Sequence, residues 1–431
     1  MTSHLSHHSR LLWRNLCFPG RIGSLCNRRR NYSLLSPSLS RTTKCFCSST
    51  CNLDATVSQF SKSQHLAPAS INLEANAAIS AASSNGRVML IDGTSIIYRA
   101  YYKLLARLNH GHLTHADGNA DWVLTIFSAL SLIIDVLKFL PSHVAFTVYM
   151  QVVFDHDESF SGVAYGSTSN SSIGYHSSKG MNFRHTLYPA YKSNRPPTPD
   201  TVVQGLQYLK ASIKAMSVKV IEVPGVEADD VIGTLAMRSI GAGYKVRVVS
   251  PDKDFFQILS PSLRLLRIAP RGSEMVSFGV EDFAKKFGNL KPAQFVDIIA
   301  LAGDKSDNIP GIDGIGNVHA VELLSRFGTL ENLLQSIDEI KEGKLKESLI
   351  AHADQALLSK KLALLRTDLP DYIVPFETRD LAFKKPEDNG EKWRSLLVAI
   401  GAYAEGFSAD PVMRKTLQLW ESLDAKKSVE S

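Results

Sequence analysis

Short apolar runs that end on acidic residues alternate with helical patterns between about residues 88 and 254. One run, VMLI, ends on Asp92, and the stretches VKVIEVPG and YKVRVVSPDKD lead to Glu227 and Asp252. Helical patterns lie between these runs, at residues 123–139, 200–216 and 228–240. Strands that alternate with helices predict a mainly parallel sheet with helices on both faces. The sequence therefore predicts an α/β fold.

The topology of such a fold brings acidic residues together. Ligands of parallel sheets bind outside the carboxyl ends of the strands, and Asp155 follows a further apolar stretch, VYMQVVF. Asp304 and Asp307 lie in the loop sequence GDKSDNIPGIDGIG. The residues that we expect to meet in one cleft are Asp92, Asp155, Glu227, Asp229, Asp230, Asp252, Asp254, Asp304 and Asp307.

This concentration of carboxylates predicts bound metal ions. Like charges this close repel by roughly a few kcal/mol at an effective dielectric near 20, and the local sequence places no cation to pair with most of them. Mg²⁺ or Mn²⁺ prefers oxygen ligands and would remove the repulsion. Two such ions about 4 Å apart stabilise both the attacking and the leaving oxygen of a phosphodiester. The pattern favours a two-metal phosphodiesterase.

A single Asp is more commonly a helix cap or a surface charge than a metal ligand. Nine candidates at matching strand ends and loops are harder to explain in that way. Asp230 is the weakest candidate near the start of the 228–240 helix, because it is adjacent to Asp229 and points elsewhere on a helix.

The chain from about residue 283 to residue 370 shows little strand pattern. Residues 283–375 read as several short helices with glycine-containing turns and are predicted to form a small all-helical domain after an α/β domain at 86–282. Residues 376–431 form a C-terminal extension, in which FKKPEDNGEK is expected to be a solvated linker before a final helical stretch near 393–420.

The N-terminal segment differs from the rest in charge. Residues 1–53 contain seven Arg, one Lys and no acidic residue, so they carry +8, whereas the other 378 residues have 40 basic and 42 acidic side chains and a net charge of −2. The segment lacks the continuous apolar core of a secretory signal, which favours an organellar transit peptide. A disordered basic arm that binds nucleic acid is the alternative. Residues 54–85 read as a linker.

Cysteine usage and hydropathy exclude two classes of protein. All five cysteines lie in the leader, at Cys17, Cys26, Cys45, Cys47 and Cys51, so the mature chain has no disulfide or thiolate metal site. The longest apolar run, at 122–134, falls short of the roughly 20 residues that a membrane span needs. We expect it to be a core helix and expect no membrane association.

Six segments together resemble the 5′-3′ exonuclease and flap endonuclease family, most closely the exonuclease domain of bacterial DNA polymerase I. The segments are LIDGTSIIYRA, VVFD, FRHTLYPAYKSNRPPTP, VPGVEADDVIGTLA, DKDFFQIL and GDKSDNIPGIDGIG. The resemblance covers about residues 86–370 and implies a PIN-like domain followed by a helix-hairpin-helix domain. With its leader, the chain resembles the free-standing plant organellar member of the family.

The resemblance assigns roles to the acidic residues. It implies that the first metal ion is bound by Asp92, Asp155, Glu227 and Asp229. It implies that the second is bound by Asp252, Asp254 and Asp304. Asp230 and Asp307 would lie in the outer shell.

Basic and aromatic residues alternate in NFRHTLYPAYKSNRPP, where basic groups can hold phosphates and rings can stack on unpaired bases. The resemblance implies that Lys192 and Arg195 contact the reacting phosphate and that Arg184 and Tyr191 belong to the same clamp on single-stranded DNA. Without the resemblance, a solvated amphipathic helix explains this segment about equally well. Tyr98 and Arg99 match a family pair near the site, although a structural role is also open.

The hexapeptide GIDGIG resembles the hairpin of a helix-hairpin-helix element. Gly311, Gly314 and Gly316 permit tight turns, so amide groups at the next helix can hold duplex phosphates. A plain glycine-rich turn is the alternative. The family often binds a K⁺ ion here, and it usually has Lys and Thr where this chain has Val318 and His319.

A departure from the family pattern affects Asp155. Between the strand-end acid and Phe-Arg-His the family has a few residues, whereas this chain has 27, at 156–182. The segment is rich in Ser and Gly and is expected to be a flexible loop. If the alignment shifts here, Asp155 is the ligand most affected.

The resulting expectation is a structure-specific 5′ nuclease that acts on organellar DNA with single-strand to duplex junctions, including 5′ flaps and RNA primers. It would work as a monomer beside a separate organellar DNA polymerase, in the chloroplast or the mitochondrion. A PIN-like RNase and a DNA-junction binding protein that has lost its catalytic activity are the alternatives.

Overall fold

The computed structural model of the chain describes residues 86–111, 120–149, 182–269, 274–404 and 406–430. All of these belong to the same compact unit. The leader, the cysteines, Asp155 and nearly all of the 156–182 segment lie outside the described residues, so the predictions made for them stay predictions. Within the described ranges, no helix is both long and apolar enough to cross a membrane.

A six-stranded sheet forms the centre of the part of the chain at residues 86–282. Its strands are β1 (Arg87–Asp92), β2 (His143–Thr147), β3 (Lys219–Ile221), β4 (Lys245–Val249), β5 (Leu263–Ile268) and β6 (Met275–Phe278). The order across the sheet is β3-β2-β1-β4-β5-β6. All neighbouring pairs are parallel except β5 and β6. The predicted, mainly parallel α/β sheet is confirmed.

Both faces of the sheet are buried because successive side chains of a strand point to opposite faces. In β1, Met89 and Ile91 join one apolar cluster, whereas Val88 and Leu90 join a second cluster on the other face. This explains why β1 is apolar at successive positions instead of alternating with polar residues.

Helices cover each face. Residues 86–282 contain α1 (Gly93–Asn109), α2 (Asp121–Leu137), the short α3 (Phe183–Leu187), α4 (Asp200–Ala215) and α5 (Ala228–Gly241). The first cluster contains residues of α1, α2 and α4, and the second contains residues of α5. The predicted core helix is α2, in which thirteen of seventeen residues are buried.

The part of the chain that follows β6, up to the C-terminal extension, is helical, as predicted. Its helices are α6 (Val280–Phe287), α7 (Phe295–Ala302), α8 (Asn317–Phe327), α9 (Leu330–Gln335), α10 (Gly343–Ala351) and α11 (Ala353–Ala363). Their apolar side chains continue the second cluster, so this part packs on the same face of the sheet as α5. Phe256, Phe283, Phe287 and Phe295 contact one another across that junction.

The C-terminal extension is helical near 393–420, as predicted, but the segment before its helices is partly buried. Leu381 and Phe383 are buried, and the amide of Phe383 donates to the carbonyl of Ser142, just before β2. Two helices follow, α12 (Glu391–Gly401) and α13 (Asp410–Glu430). They place Trp393 and Trp420 in the first cluster, so the apolar residues of this extension contribute to the core of the α/β part.

The second strand ends earlier than the sequence predicts. The paired residues of β2 are His143–Thr147, and Val148 donates one further bond to Ile221. Tyr149 follows, with its amide and carbonyl both bonded to the Thr94 hydroxyl at the start of α1. Tyr149, rather than an acidic residue, therefore occupies the end of this strand in the described part of the chain.

The burial of α12 generates a prediction about stability. Trp393 is 1% exposed and contacts Trp420 at 5.6 Å between ring centroids. We expect Trp393→Ala to lower the free energy of unfolding by about 3–5 kcal/mol, because it removes a large buried ring. Urea unfolding measures this value. Val398→Ala on the same helix is the control, since Val398 is 61% exposed and its truncation should cost little; equal effects would contradict the packing described.

Candidate functional site

Asp92 and Asp252, which lie 160 positions apart in the sequence, meet at the carboxyl ends of the adjacent strands β1 and β4. Asp92 caps α1 through a 3.0 Å bond from the amide of Ser95. Its other oxygen accepts a 2.8 Å bond from the hydroxyl of Ser250, and the same hydroxyl accepts the amide of Asp252 at 3.1 Å. Ser250 thus connects the two acidic positions.

Asp229 and Asp254 complete this group, and the four carboxylates repel one another. Burial, followed by the charges of Asp92 and Asp252, raises the pKa of Asp229 well above its ordinary value. Burial and then Asp252 do the same to the pKa of Asp254. The pKa values of Asp92 and Asp252 are also raised, chiefly by burial. We call Asp92, Asp229, Asp252 and Asp254 the repulsive group.

The other described candidates are paired with cations, which the sequence did not indicate. Lys192 donates to Glu227 at 2.7 Å, and Asn182 donates to the same oxygen at 2.6 Å. Although burial alone would raise it, the cations Lys192 and Arg184 hold the pKa of Glu227 below its ordinary value.

Asp304 and Asp307 belong to this paired set as well. Asp304 accepts from the amide and hydroxyl of Ser306 and lies 3.1 Å from the ammonium of Lys253. Asp307 is bonded by Arg195. Despite its burial, Lys192 and Arg195 lower the pKa of Asp307 to about 2. Protein cations therefore already neutralise this half of the site.

Lys192 is held in an uncommon backbone conformation. Its φ is 56°, in the left-handed region, and its amide donates to the carbonyl of Asp307 at 2.9 Å. Non-glycine residues in this region carry strain that surrounding contacts must offset. The side chain is only 8% exposed. The turn thus directs this ammonium group into the site, next to Glu227.

Arg184 is not placed as the predicted phosphate ligand. Its five N–H donors contact Asp230 twice at 2.7 and 2.8 Å, Glu227 at 3.4 Å, and the carbonyls of Leu362 and Leu364 at 2.9 Å. A guanidinium has five such donors. The structure therefore indicates that Arg184 positions the carboxylates.

Asp230 is the acidic partner of Arg184. One of its oxygens accepts from Arg184 and from the amide of Arg366 at 3.0 Å, and the other accepts from Arg184. With 1% exposure, its carboxylate is enclosed by protein donors. This geometry differs from the prediction that Asp230 is among the metal-binding residues.

The aromatic candidates have different environments. Tyr191 is 3% exposed and its hydroxyl reaches Glu227 and Asp307 at 3.3 and 3.2 Å, so its ring is not available to stack on a base as predicted. Tyr98 is half-buried and donates to the hydroxyl of Thr198, and Arg99 donates to the carbonyl of Ala269. A nucleic-acid role for Tyr98 and Arg99 stays a prediction.

The glycine turn has two distinct parts. Gly311 has φ of 65°, and a Cβ there would lie 2.3 Å from the amide nitrogen of Gly303, so its close backbone approach is to the chain itself. At Gly314 and Gly316 a Cβ would meet open space. Gly316 precedes α8, so this end of the turn is the part where a phosphate could approach the amides of a helix start.

The acidic residues of the site offer the oxygen ligands that divalent metal ions prefer. In the described ranges, no three His, Cys, Asp or Glu side chains are already gathered into a metal-binding arrangement. However, Oδ1 of Asp254 is buried and has no hydrogen-bond partner. An oxygen-only set with mutual repulsion and an unpartnered oxygen is suited to a hard cation.

Sequence reasoning missed several residues that build the site. Ser250 connects the two strand ends, Asn182 holds Glu227 and caps α3, and Lys253 pairs with Asp304. Local signals exist for two of them, because Ser250 directly follows an apolar strand and Asn182 immediately precedes a helix. The pairing of Lys253 depends on tertiary structure alone.

Two family models match the chain. The model described as "5'-3' exonuclease, N-terminal resolvase-like domain" matches residues 165–288, and "5'-3' exonuclease, C-terminal SAM fold" matches residues 290–389. Together the matches cover 224 of 431 residues, more than half of the chain.

Curated relatives agree with these matches. The chain is 36% identical over 316 residues to DNA polymerase I of Bacillus caldotenax, which is 73% of this chain and 31% of that protein. It is 36% identical over 284 residues to the thermostable DNA polymerase I of Thermus filiformis, which is 66% of this chain and 29% of that protein. The chain thus spans less than a third of the length of these relatives.

Solved structures give weaker likenesses. The catalytic core of Rad2 in complex with DNA substrate has a TM-score of 0.47 at 14% identity, covering 79% of this chain and 94% of that one. The T5 D15 protein co-crystallised with metal ions has a TM-score of 0.46 at 20% identity, covering 73% and 99%. Because these TM-scores lie below 0.5, the family assignment depends on the sequence matches.

The repulsive group generates a prediction about pH. A raised carboxyl pKa means that ionisation is more costly in the folded state, so Asp229 destabilises the fold at pH values above the ordinary range of Asp, near 4. In EDTA at pH 7, we expect Asp229→Asn to raise Tm by about 2–4 °C, a gain that disappears near pH 4. Thermal unfolding at both pH values measures it.

The control for this prediction is Asp371→Asn, because that carboxylate is 94% exposed and should have little effect at either pH. A gain from Asp229→Asn that is as large at pH 4 as at pH 7 would contradict the proposed repulsion.

Proposed function

The chain belongs to the 5′-3′ exonuclease family, and from this premise we propose that it is a structure-specific 5′ nuclease that hydrolyses phosphodiester bonds near single-strand to duplex junctions in organellar DNA. One observation carries the proposal. The repulsive group unites the ends of β1 and β4 with the start of α5 and contains an unpartnered carboxylate oxygen. Lys192 and Lys253 act on this group from a distance, but among the described residues no Lys or Arg forms an ion pair with it, so a bound cation would offset its repulsion.

We propose that two Mg²⁺ or Mn²⁺ ions bind there. Asp92 and Asp229, with Asp155, would hold the first, and Asp252 and Asp254 would hold the second. Glu227 and Asp304 adjoin this group, and they would bind a metal ion by giving up some of the contacts that both of their oxygens make with protein donors. When bound, the ions supply positive charge that offsets the repulsion and stabilises the transition state of phosphodiester hydrolysis.

The chain's own cations would orient the substrate. Lys192 lies against Glu227 and Asp307 at the base of the site, and the strained turn holds it there. Arg195 is 47% exposed at its side chain and lies at the rim beside Asp307. We propose that Lys192 and Arg195 position the phosphate. Both charges are already in place before DNA binds, so little reorganisation is needed.

Duplex DNA would bind at some distance from this centre. The exposed end of the turn, Gly314 to Gly316, and the first amides of α8 offer a contact that is independent of sequence. Val318, 70% exposed, adds no charge there. A K⁺ ion at this turn remains part of the proposal. Because much of the attraction would come from phosphates, binding should weaken as salt increases.

A second candidate is a junction-binding protein without nuclease activity, and one observation favours it. Tyr149 occupies the end of β2, and burial followed by the charge of Glu227 raises its pKa to about 12. The phenol therefore stays neutral at the described end of β2, whereas Asp155, the acidic ligand predicted for this strand, lies outside the described residues. This candidate and the nuclease differ in whether DNA that is bound is also cut.

The cleavage prediction uses a labelled 5′-flap substrate. The wild-type protein should cut it with Mg²⁺ and bind it without cutting in EDTA. Asp229→Asn should retain binding and lose about two orders of magnitude or more in rate, because it removes charge stabilisation at the reacting centre. Asp338→Asn, whose side chain is 99% exposed, is the matched control.

Each alternative has its own outcome in this assay. Binding without cutting by the wild-type protein would support the junction-binding candidate, and cutting of single-stranded RNA alone would support a PIN-like RNase. Near-normal cleavage by Asp229→Asn would refute the site as proposed.

We also propose that the acid-free leader directs the protein to the chloroplast, the mitochondrion or both, where it would act beside a separate DNA polymerase. Residues 1–85 fused to a fluorescent protein should be imported and shortened in at least one of these organelles. A version with the seven Arg of residues 1–53 replaced by Gln should remain in the cytosol. Import of both versions, or of neither, would refute the proposal.

A further inference from the structure

Arg184 joins three separate segments of the chain beside the carboxylates. It lies on α3, its guanidinium holds Asp230 at the start of α5, and it also holds the backbone carbonyls of Leu362 and Leu364 at the end of α11. Asp230 in turn accepts the amide of Arg366. At 3% exposure, Arg184 has little water available to replace a lost partner.

Closer to its N-terminus, the same helix α11 forms hydrogen bonds with Gly311 of the glycine turn. Gln355 donates to the carbonyl of Gly311 at 2.6 Å, and the hydroxyl of Ser359 accepts the amide of Gly311 at 3.2 Å. Both residues lie on α11, within two turns of Leu362. A single helix therefore connects Gly311, three residues before the proposed duplex contact at Gly314 to Gly316, to the guanidinium that holds Asp230.

We propose that Arg184 is a positioning residue that makes the orientation of Glu227 and Asp229 depend on the placement of α11, and through α11 on duplex DNA bound at the glycine turn. This inference rests on the proposed function. Its effect would be to favour cleavage when duplex is present and to reduce cutting of DNA that lacks it.

The physical reason is the fixed shape of the guanidinium. Its planar fork satisfies two carbonyls and a carboxylate at once, in directions that cannot be changed independently. If α11 shifts, Arg184 must either give up buried hydrogen bonds or move Asp230 with it. Asp230 is adjacent to Asp229 and three residues from Glu227, both at the start of α5. A change in the helix is thus transmitted to the carboxylates.

Arg184→Lys tests this role because it keeps the charge and removes the fork. Under single-turnover conditions with saturating flap DNA, we expect the cleavage rate to fall by about tenfold or more while the Kd for duplex changes by less than about twofold. Arg238→Lys is the matched control. Arg238 also joins α5 to the C-terminal half, through the carbonyls of Leu369, Val374 and Phe376, but at the end of α5 away from the site.

A double-mutant cycle tests the connection to the turn. Gln355→Ala should lower the cleavage rate in the wild-type background and have little further effect when Arg184 is already Lys, because both changes interrupt the same path. Ser348→Ala is the control: Ser348 lies on α10 and bonds the turn at Asp313. It should act additively with Arg184→Lys.

Hydrogen exchange provides a readout that does not depend on cleavage. With EDTA present, adding duplex DNA should increase protection of residues 362–366 in the wild-type protein and in Arg238→Lys. Arg184→Lys should lose this increase. The measurement also separates a folding defect, which would raise exchange throughout the protein, from a local loss of coupling.

The outcomes distinguish the inference from the proposed function. If the wild-type protein cuts flap DNA, and Arg184→Lys cuts at the wild-type rate or the double-mutant cycle is additive, the coupling is refuted and the nuclease assignment stands. If the wild-type protein does not cut, the proposed function fails; protection of 362–366 that still depends on Arg184 would then support coupling in a binding protein.

Discussion

The structure depends on how negative charge is distributed at one edge of the sheet. Strands β1 and β4 are neighbours, so Asp92 and Asp252 have to be close, and the hydroxyl of Ser250 connects them. Two like charges about 5 Å apart repel by about 3 kcal/mol at an effective dielectric of 20. In the repulsive group no ion pair of the described residues offsets this repulsion. At Glu227, Asp304 and Asp307, Lys and Arg side chains of the chain offset it.

That division separates two tasks within one site. In the paired half, Lys192, Lys253 and Arg195 form ion pairs with Glu227, Asp304 and Asp307. Its pKa shifts are downward where they are resolved, at Glu227 and Asp307. The pKa values of the repulsive group are all shifted upward, first by burial and in addition by neighbouring carboxylates. The protein's own cations neutralise the paired half, and a metal ion would contribute most at the repulsive group.

The sequence predicted those parts of the fold that local patterns determine. Strands β1, β3 and β4 are apolar runs bounded by acidic or turn residues, and parallel topology brings the acids of β1 and β4 to one edge. It did not reveal β5 and β6, because Arg264 and Arg267 interrupt the apolar pattern of β5 and β6 is a short edge strand.

Ion pairs such as Lys192 with Glu227 and Arg195 with Asp307 join residues 35 and 112 positions apart, and no local pattern indicates them. The same is true of Arg184, where the basic and aromatic composition of its segment suggested contact with DNA. Composition identifies groups that can bind phosphate, but it does not show whether buried carboxylates and carbonyls already use their donors. For Arg184 all five donors are used, and for Arg195 the side chain is still half exposed.

The C-terminal extension illustrates a related limit. Helix α2 is apolar on nearly every side, and a helix of that kind needs neighbours all around it. α1 and α4 pack against part of its surface, and α13 packs against another part, where Lys415 donates to Ser131 and Asp135. Residues 390–431 follow the segment matched by the family models. The apolar sequence of α2 thus already implied a further covering element, and in this chain part of that cover comes from residues beyond the matched range.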